Sequence, residues 1–226
     1  MDMDKRIRIE TVATWRQAGV IVADGSGSMH DQVSGGEFTG TKGEAVGLAV
    51  QGLLSRFQVS VKAPNFSFAG VSFDSAVRDQ WGPVPATGVD LTRDYDPTRG
   101  AGGGTAIATG LEVAQAMVTR FLDARVDGLP SSAVVLLLTD GEDSDPEATR
   151  KVAARLTADP RVRLACAFLA TKGAQQTGLG LLQSIASKPT GQYCLSVYDP
   201  ETLRKFWTAS LTLAALPAGR GAAAPR

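Results

Sequence analysis

Histidine is almost missing from this chain, with one residue, and cysteine nearly so, with two. His30 stands alone in a loop-like stretch and neither Cys166 nor Cys194 falls in a ligand-spaced cluster, which argues against a soft-metal centre and against a histidine base placed by motif. Two cysteines in apolar, strand-like segments are too few for a secreted disulfide framework and are expected to be core thiols. No run approaches the roughly 20 apolar residues that cross a bilayer. Residues 1–10 are charged without an apolar core, so neither a membrane span nor a secretory leader is expected, and the expected location is cytoplasmic. An excess of one charge is lacking too: 23 Lys and Arg balance 23 Asp and Glu, which removes the global electrostatic case for nucleic acid or an anionic membrane surface as a partner.

What is present is an alternation of strand and helix patterns. Residues 18–23 form a short apolar run that ends in Asp24 and a Gly/Ser turn, as expected of a strand buried on both faces. Thr41 and Glu44 have the spacing of a capping box, and Val46, Val50, Leu53, Leu54 and Phe57 follow at helical intervals. Residues 66–73 and 76–81, separated by Asp74-Ser75, read as an antiparallel hairpin whose second strand is an edge. Residues 82–104 carry three prolines and six glycines without sustained periodicity and are expected to be a long surface connection.

A helix beginning near Thr105 lines up Ile107, Leu111, Ala114, Val118 and Phe121, and residues 133–138 are a strongly apolar strand closed by Thr139-Asp140-Gly141. Ser144 and Glu147 have capping-box spacing around Pro146 and predict a helix towards Ala158. Val162, Leu164, Cys166 and Phe168 alternate as one face of a strand. A short helix over 179–187, a strand over 192–197 and a helix capped by Asp199-Pro200, with Leu203, Phe206, Trp207, Ser210, Leu211 and Ala214 on one stripe, complete the pattern. The expected fold is α/β: a doubly wound, mostly parallel sheet with helices on both faces and one antiparallel edge strand. The expected division is an extension at 1–17, one domain at 18–214 and a flexible tail at 215–226.

In such sheets ligands sit outside the carboxyl ends of the strands, which directs attention to Asp24 and Asp140. Asp24-Gly25-Ser26-Gly27-Ser28 alternates acidic and hydroxyl side chains with glycines. Gly102-Gly103-Gly104 presents Thr105 at a helix start, and Asp140 closes a buried strand. Oxygen donors of this kind suit a hard cation, magnesium first, with manganese or calcium as alternatives. Asp31, Glu37, Glu142, Asp143 and Asp145 flank these segments and are expected to be solvated loop charges; His30 is expected on the surface.

Asp24-x-Ser26-x-Ser28, the distant Thr105 after glycines and Thr139-Asp140-Gly141 together resemble the complete metal-ion-dependent adhesion site of von Willebrand factor type A domains. The resemblance runs from about Ala18 to Ala214 and includes the Phe73-Asp74-Ser75 hairpin. It implies six strands ordered 3-2-1-4-5-6. It also implies Ser26 and Ser28 directly on the ion, Thr105 changing its contact with ligand state, and Asp24 and Asp140 often acting through waters. The implied function is metal-dependent protein binding without catalysis, scaffolding or regulating an intracellular complex, with a partner's Asp or Glu completing the ion's coordination. The architecture is similar to bacterial A domains associated with tellurite resistance, stress responses and kinase or phosphatase partners; magnesium-chelatase and chaperone-associated A domains are alternatives. A metal-dependent hydrolase or phosphatase with a serine nucleophile is the rival reading. Nucleotide binding at residues 100–104 lacks the P-loop Lys-Ser/Thr pair and the preceding first strand.

Overall fold

Arg16–Asp24 forms strand β1, in which every residue after Arg16 is buried, because it lies at the centre of a sheet covered on both faces. The coordinates are a computed structural model, which describes residues 13–35, 38–124, 126, 128–170 and 178–215. After β1 come the short strands β2 (Gln32–Gly35) and β3 (Phe38–Thr41), which pair antiparallel as a separate ribbon, and then helix α1 (Lys42–Gln58). The hairpin of β4 (Phe66–Phe73) and β5 (Val77–Pro85) leads to helix α2 (Ile107–Asp123), strand β6 (Ser131–Thr139) and helix α3 (Pro146–Thr157). Strand β7 (Val162–Leu169), the short helices α4 (Leu179–Ile185) and α5 (Thr190–Tyr193), strand β8 (Cys194–Val197) and helix α6 (Pro200–Ala214) finish the described chain.

The main sheet has six strands in the order β5-β4-β1-β6-β7-β8. Counted along the chain within that sheet this is 3-2-1-4-5-6, with all pairs parallel except the β4–β5 edge. Leu211 of α6 approaches Gly19 on one face of β1, whereas Gly110 of α2 approaches Val22 on the other. Helices therefore cover both faces: α1 packs with α6, and α2 with α3. The apolar stripes anticipated on α1, α2 and α6 are the buried ones, with Leu53, Leu54, Ile107, Leu111, Leu203 and Trp207 all fully excluded from solvent. Gln17 is buried as well, and its amide donates to the Leu211 carbonyl at 2.8 Å, which satisfies a polar group that would otherwise be costly inside the core.

Several expectations are corrected. The β2–β3 ribbon was not anticipated; such short pairs have little local signature and depend on docking against the body of the protein. β5 runs on to Pro85, past the expected end at residue 81, because an edge strand tolerates proline. The connection that follows is not all surface, since Ala86, Val89 and Thr98 are buried. The α3 cap is Asp145, whose carboxylate accepts from the Ala148 amide at 3.0 Å, in place of Ser144. β7 is buried on both faces except at Arg163, because it lies between β6 and β8, so the alternation read there understated its burial. Residues 190–193 are helical, which shortens the last strand to Cys194–Val197. Cys166 is buried and Cys194 half-buried, both as free thiols. Residues 1–12, Glu37 and residues 216–226, including most of the expected tail, lie outside the described residues.

Candidate functional site

β1 and β6 are neighbours, so their carboxyl ends bring Asp24 and Asp140 to the same rim, where the chain leaves β1 for one side of the sheet and β6 lies on the other. This is the switch point at which a crevice forms in a doubly wound sheet. Asp24 is fully buried. Its Oδ1 accepts from the Ser26 amide at 2.8 Å and its Oδ2 from the Thr139 hydroxyl at 2.5 Å, so the carboxylate shapes the loop and ties it to the end of β6. Burial pushes the Asp24 carboxyl up to about 6, against the hydrogen bonds from Thr139 and Ser26, while the nearby Asp140 charge pushes it the same way as burial.

The hydroxyls converge beside these carboxylates. Ser28 Oγ donates to Asp140 Oδ1 at 2.7 Å and lies 3.3 Å from Ser26 Oγ. Thr105 Oγ1 and Ser28 Oγ each lie 3.8 Å from the point that a Cβ on Gly141 would occupy, which places the threonine on the same rim. Thr105 is held there from two sides. The Ser144 amide donates to its carbonyl at 2.8 Å, and the next amide, that of Ala106, donates to the Asp74 carbonyl at 2.8 Å. Gly25 is required where it stands: a Cβ there would come within 2.2 Å of the Pro97 carbonyl oxygen, so the tucked-in 96–98 segment packs directly under the Asp24–Ser28 loop.

All five residues singled out in the sequence thus lie at one end of the sheet, and the structure adds Lys42 and gives contacts to Asp74 and Thr139, which the sequence motifs contain without a stated role. Lys42, the first residue of α1 and only 6% exposed, reaches Asp140 Oδ2 with its ammonium at 2.5 Å and Asp31 Oδ2 at 3.6 Å. Asp74, in the β4–β5 turn, accepts from the Gly102 and Gly103 amides at 3.1 and 3.0 Å and so shapes the glycine run before Thr105. Thr139, part of the motif, is the hydroxyl that anchors Asp24. The turn at Asp74 was legible in the sequence, but its reach across 28 residues to Gly102 is a tertiary fact. Among the flanking acids, Asp143 departs from the expected solvated charge. It is 9% exposed, its Oδ1 accepts from the first amide of α2 at 3.0 Å, and its Oδ2 is without a hydrogen-bond partner among the described residues. Asp31, Glu142, Asp145 and His30 are exposed.

Among the described residues no group of three or more His, Cys, Asp or Glu side chains is placed to hold a metal ion, so an ion here would draw on hydroxyls as well as carboxylates. The donor set fits a hard cation on that basis. Two ligand oxygens on an octahedral edge stand about 3 Å apart around magnesium and about 3.4 Å apart around calcium, from their usual bond lengths; the Ser26–Ser28 separation of 3.3 Å falls in that interval. An open groove of about 480 Å³ between β3, α1 and the 93–99 segment is lined by none of the five residues. No helix among the described residues is long and apolar enough to cross a membrane.

Comparison with solved structures places the chain among proteins of the same fold. A von Willebrand factor type A protein from Catenulispora acidiphila aligns with a TM-score of 0.61 and 18% identity over 87% of this chain and 42% of that one. The open conformation of the pilus adhesin SpaC from Lactobacillus rhamnosus GG aligns with a TM-score of 0.66 and 14% identity over 88% of this chain. This chain spans 30% of the adhesin's length. Manganese-loaded TRAP protein from Plasmodium vivax aligns with a TM-score of 0.60 and 17% identity, covering 86% of this chain and 73% of that one. At these identities the likeness concerns the fold. No curated protein sequence matches the chain. The sequence model of the von Willebrand factor type A domain matches residues 20–209, nearly the whole of the described fold, and the chain belongs to that family.

Proposed function

We propose that this chain is a metal-dependent protein-interaction module, in which Asp24, Ser26, Ser28, Thr105 and Asp140 form a metal-ion-dependent adhesion site for a divalent cation, magnesium first. The observation that carries the reading is the linked array of Ser26, Ser28 and Asp140, with Thr105 beside it, at the switch point of the sheet. When bound, the ion supplies positive charge and an exchangeable coordination position that an Asp or Glu of a partner protein fills. The chain's own residues prepare that position. Asp24 and Thr139 fix the loop carrying the two serines, Asp140 orients Ser28, and Asp74 fixes the turn before Thr105. With only two carboxylates in the set, much of the ion's charge stays available to the partner. The likeness to a manganese-loaded structure supports a divalent ion as the ligand class.

The cellular setting belongs to the same proposal: a cytoplasmic complex of the tellurite-resistance or stress-associated kind, with a kinase or phosphatase as the partner class. The placement of Cys166 and Cys194 in strands, where a secreted disulfide framework would use more cysteines in loops, is what supports that setting. Catalysis is the weaker reading, because serine hydroxyls occupied as ligands of an ion are poor candidates for free nucleophiles. The experiment is affinity capture with the intact protein and with Asp140→Ala, each with magnesium and with a chelator. The partner should be retained only by the unaltered protein with magnesium. Equal retention in all four arms sinks the mechanism, and magnesium-dependent phosphoester turnover that Asp140→Ala abolishes would put the enzyme reading first.

A further inference from the structure

We infer that Lys42 is a built-in counter-cation of this site, competing with a divalent ion for the Asp140 carboxylate and so setting the ion affinity and the charge left for a partner. The inference rests on the cation-binding reading above. Lys42 opens α1, and its backbone is fixed by the capping box in which the Thr41 hydroxyl accepts from the Glu44 amide and the Glu44 carboxylate accepts from the Thr41 amide. The Lys42 amide is also held, by the Asp31 carbonyl at 3.0 Å. The side chain is therefore aimed from a rigid base, and only 8% of it is exposed.

Its ammonium contacts Asp140 Oδ2 at 2.5 Å while Ser28 donates to Oδ1 of the same carboxylate at 2.7 Å. One carboxylate, whose side chain is fully buried, thus bridges the lysine and a hydroxyl of the candidate ion site. A buried ammonium so close stabilises the carboxylate as an internal ion pair and repels a second cation at the hydroxyls, and at these separations the repulsion is only weakly screened by salt. Lysine suits the role because its charge sits at the end of a flexible stem. An alternative resting place is at hand in Asp31, 3.6 Å from the ammonium and 69% exposed. As an ion engages the site, the ammonium leaves Asp140 for Asp31 and solvent, so ion binding and lysine release are one exchange.

The test is calorimetric titration of the full chain with magnesium and with manganese, comparing the unaltered protein, Lys42→Gln, Lys42→Met and Lys42→Arg. Removing the positive charge should tighten ion binding by about tenfold or more, and Lys42→Arg should stay near the original affinity. Should Lys42→Gln not fold, as judged by circular dichroism, Lys42→Met keeps the apolar stem that packs at the start of α1. A second readout needs no variant: labelling of the Lys42 amine by acetic anhydride should rise when magnesium is added. If the unaltered protein binds the ions while the neutral variants bind no tighter and labelling does not rise, Lys42 is only a helix anchor and this inference falls, the cation site standing. If none of the four proteins binds either ion, the cation site itself falls and the inference with it.

Discussion

Asp74 spends both carboxylate oxygens on joining two loops: Oδ1 accepts from the Ala76 amide and the Arg78 guanidinium, Oδ2 from the amides of Gly102 and Gly103. Burial alone would raise its carboxyl, but Arg78 and the amides of Gly103, Ala76 and Gly102 outweigh it and hold the group well below the ordinary carboxylate range. The unfolded chain returns to an ordinary value of about 4. The contribution of Asp74 to stability is therefore complete above about pH 4 and is lost as the pH falls further through its depressed folded value. Asp74→Asn replaces an acceptor by an amide facing two N–H groups and should destabilise the fold by about 2–3 kcal/mol at pH 7. It should also flatten the acid limb of the stability curve. Urea titrations at pH 7, 4 and 3 check both effects, and an unchanged acid limb would count against this role.

At the scale of elements, close packing sets opposite signs for two glycines that both lie in helices. A Cβ on Gly110 of α2 would stand 2.7 Å from Phe73 Cδ1 and 2.9 Å from Val22 Cγ1, whereas one on Gly180 of α4 meets nothing within 4 Å. Gly110→Ala should cost about 1–3 kcal/mol through overpacking that exceeds its helix-propensity gain. Gly180→Ala should gain up to about 1 kcal/mol. Thermal melts of the two variants give the comparison, and equal shifts would show that the α2 contact can relax freely. The long helices were legible because their stripes recur every three or four residues and face the sheet, as at Ile107, Leu111 and Ala114. The β2–β3 ribbon and the turn of helix at 190–193 were not, since four-residue elements repeat too briefly to carry a period. The Ser144 cap was misplaced by one residue because Ser144, Asp145 and Pro146 offer overlapping start signals, and backbone geometry selected Asp145.

For the whole molecule, an ion that binds the native site and not the unfolded chain must stabilise the fold through mass action. At a concentration about 100 times its Kd, magnesium should add about 2.7 kcal/mol, equivalent to a rise of about 5–10 °C in Tm for a domain of this size. Scanning calorimetry with magnesium and with chelator measures it, and Asp140→Ala should remove the difference. An equal rise in that variant would place the ion elsewhere. Such linkage is expected because the candidate residues come from three separate stretches: the end of β1, the segment before α2 and the end of β6 meet only when the sheet is assembled.

The sequence by itself determined the alternation of the longer strands and helices and the polarity of their faces, because these are written locally, in periodicity, and it named five oxygen-bearing candidates from short motifs joined by family resemblance. Through family resemblance it also implied the strand order that the sheet displays. Only the tertiary structure decided what those residues touch. The Ser28–Asp140 contact joins positions 112 residues apart, Thr139–Asp24 joins positions 115 apart and Lys42–Asp140 joins positions 98 apart. Pairings of that length are fixed by strand register and helix docking, which depend on the packing of the whole core and leave no mark in the spacing of neighbouring residues.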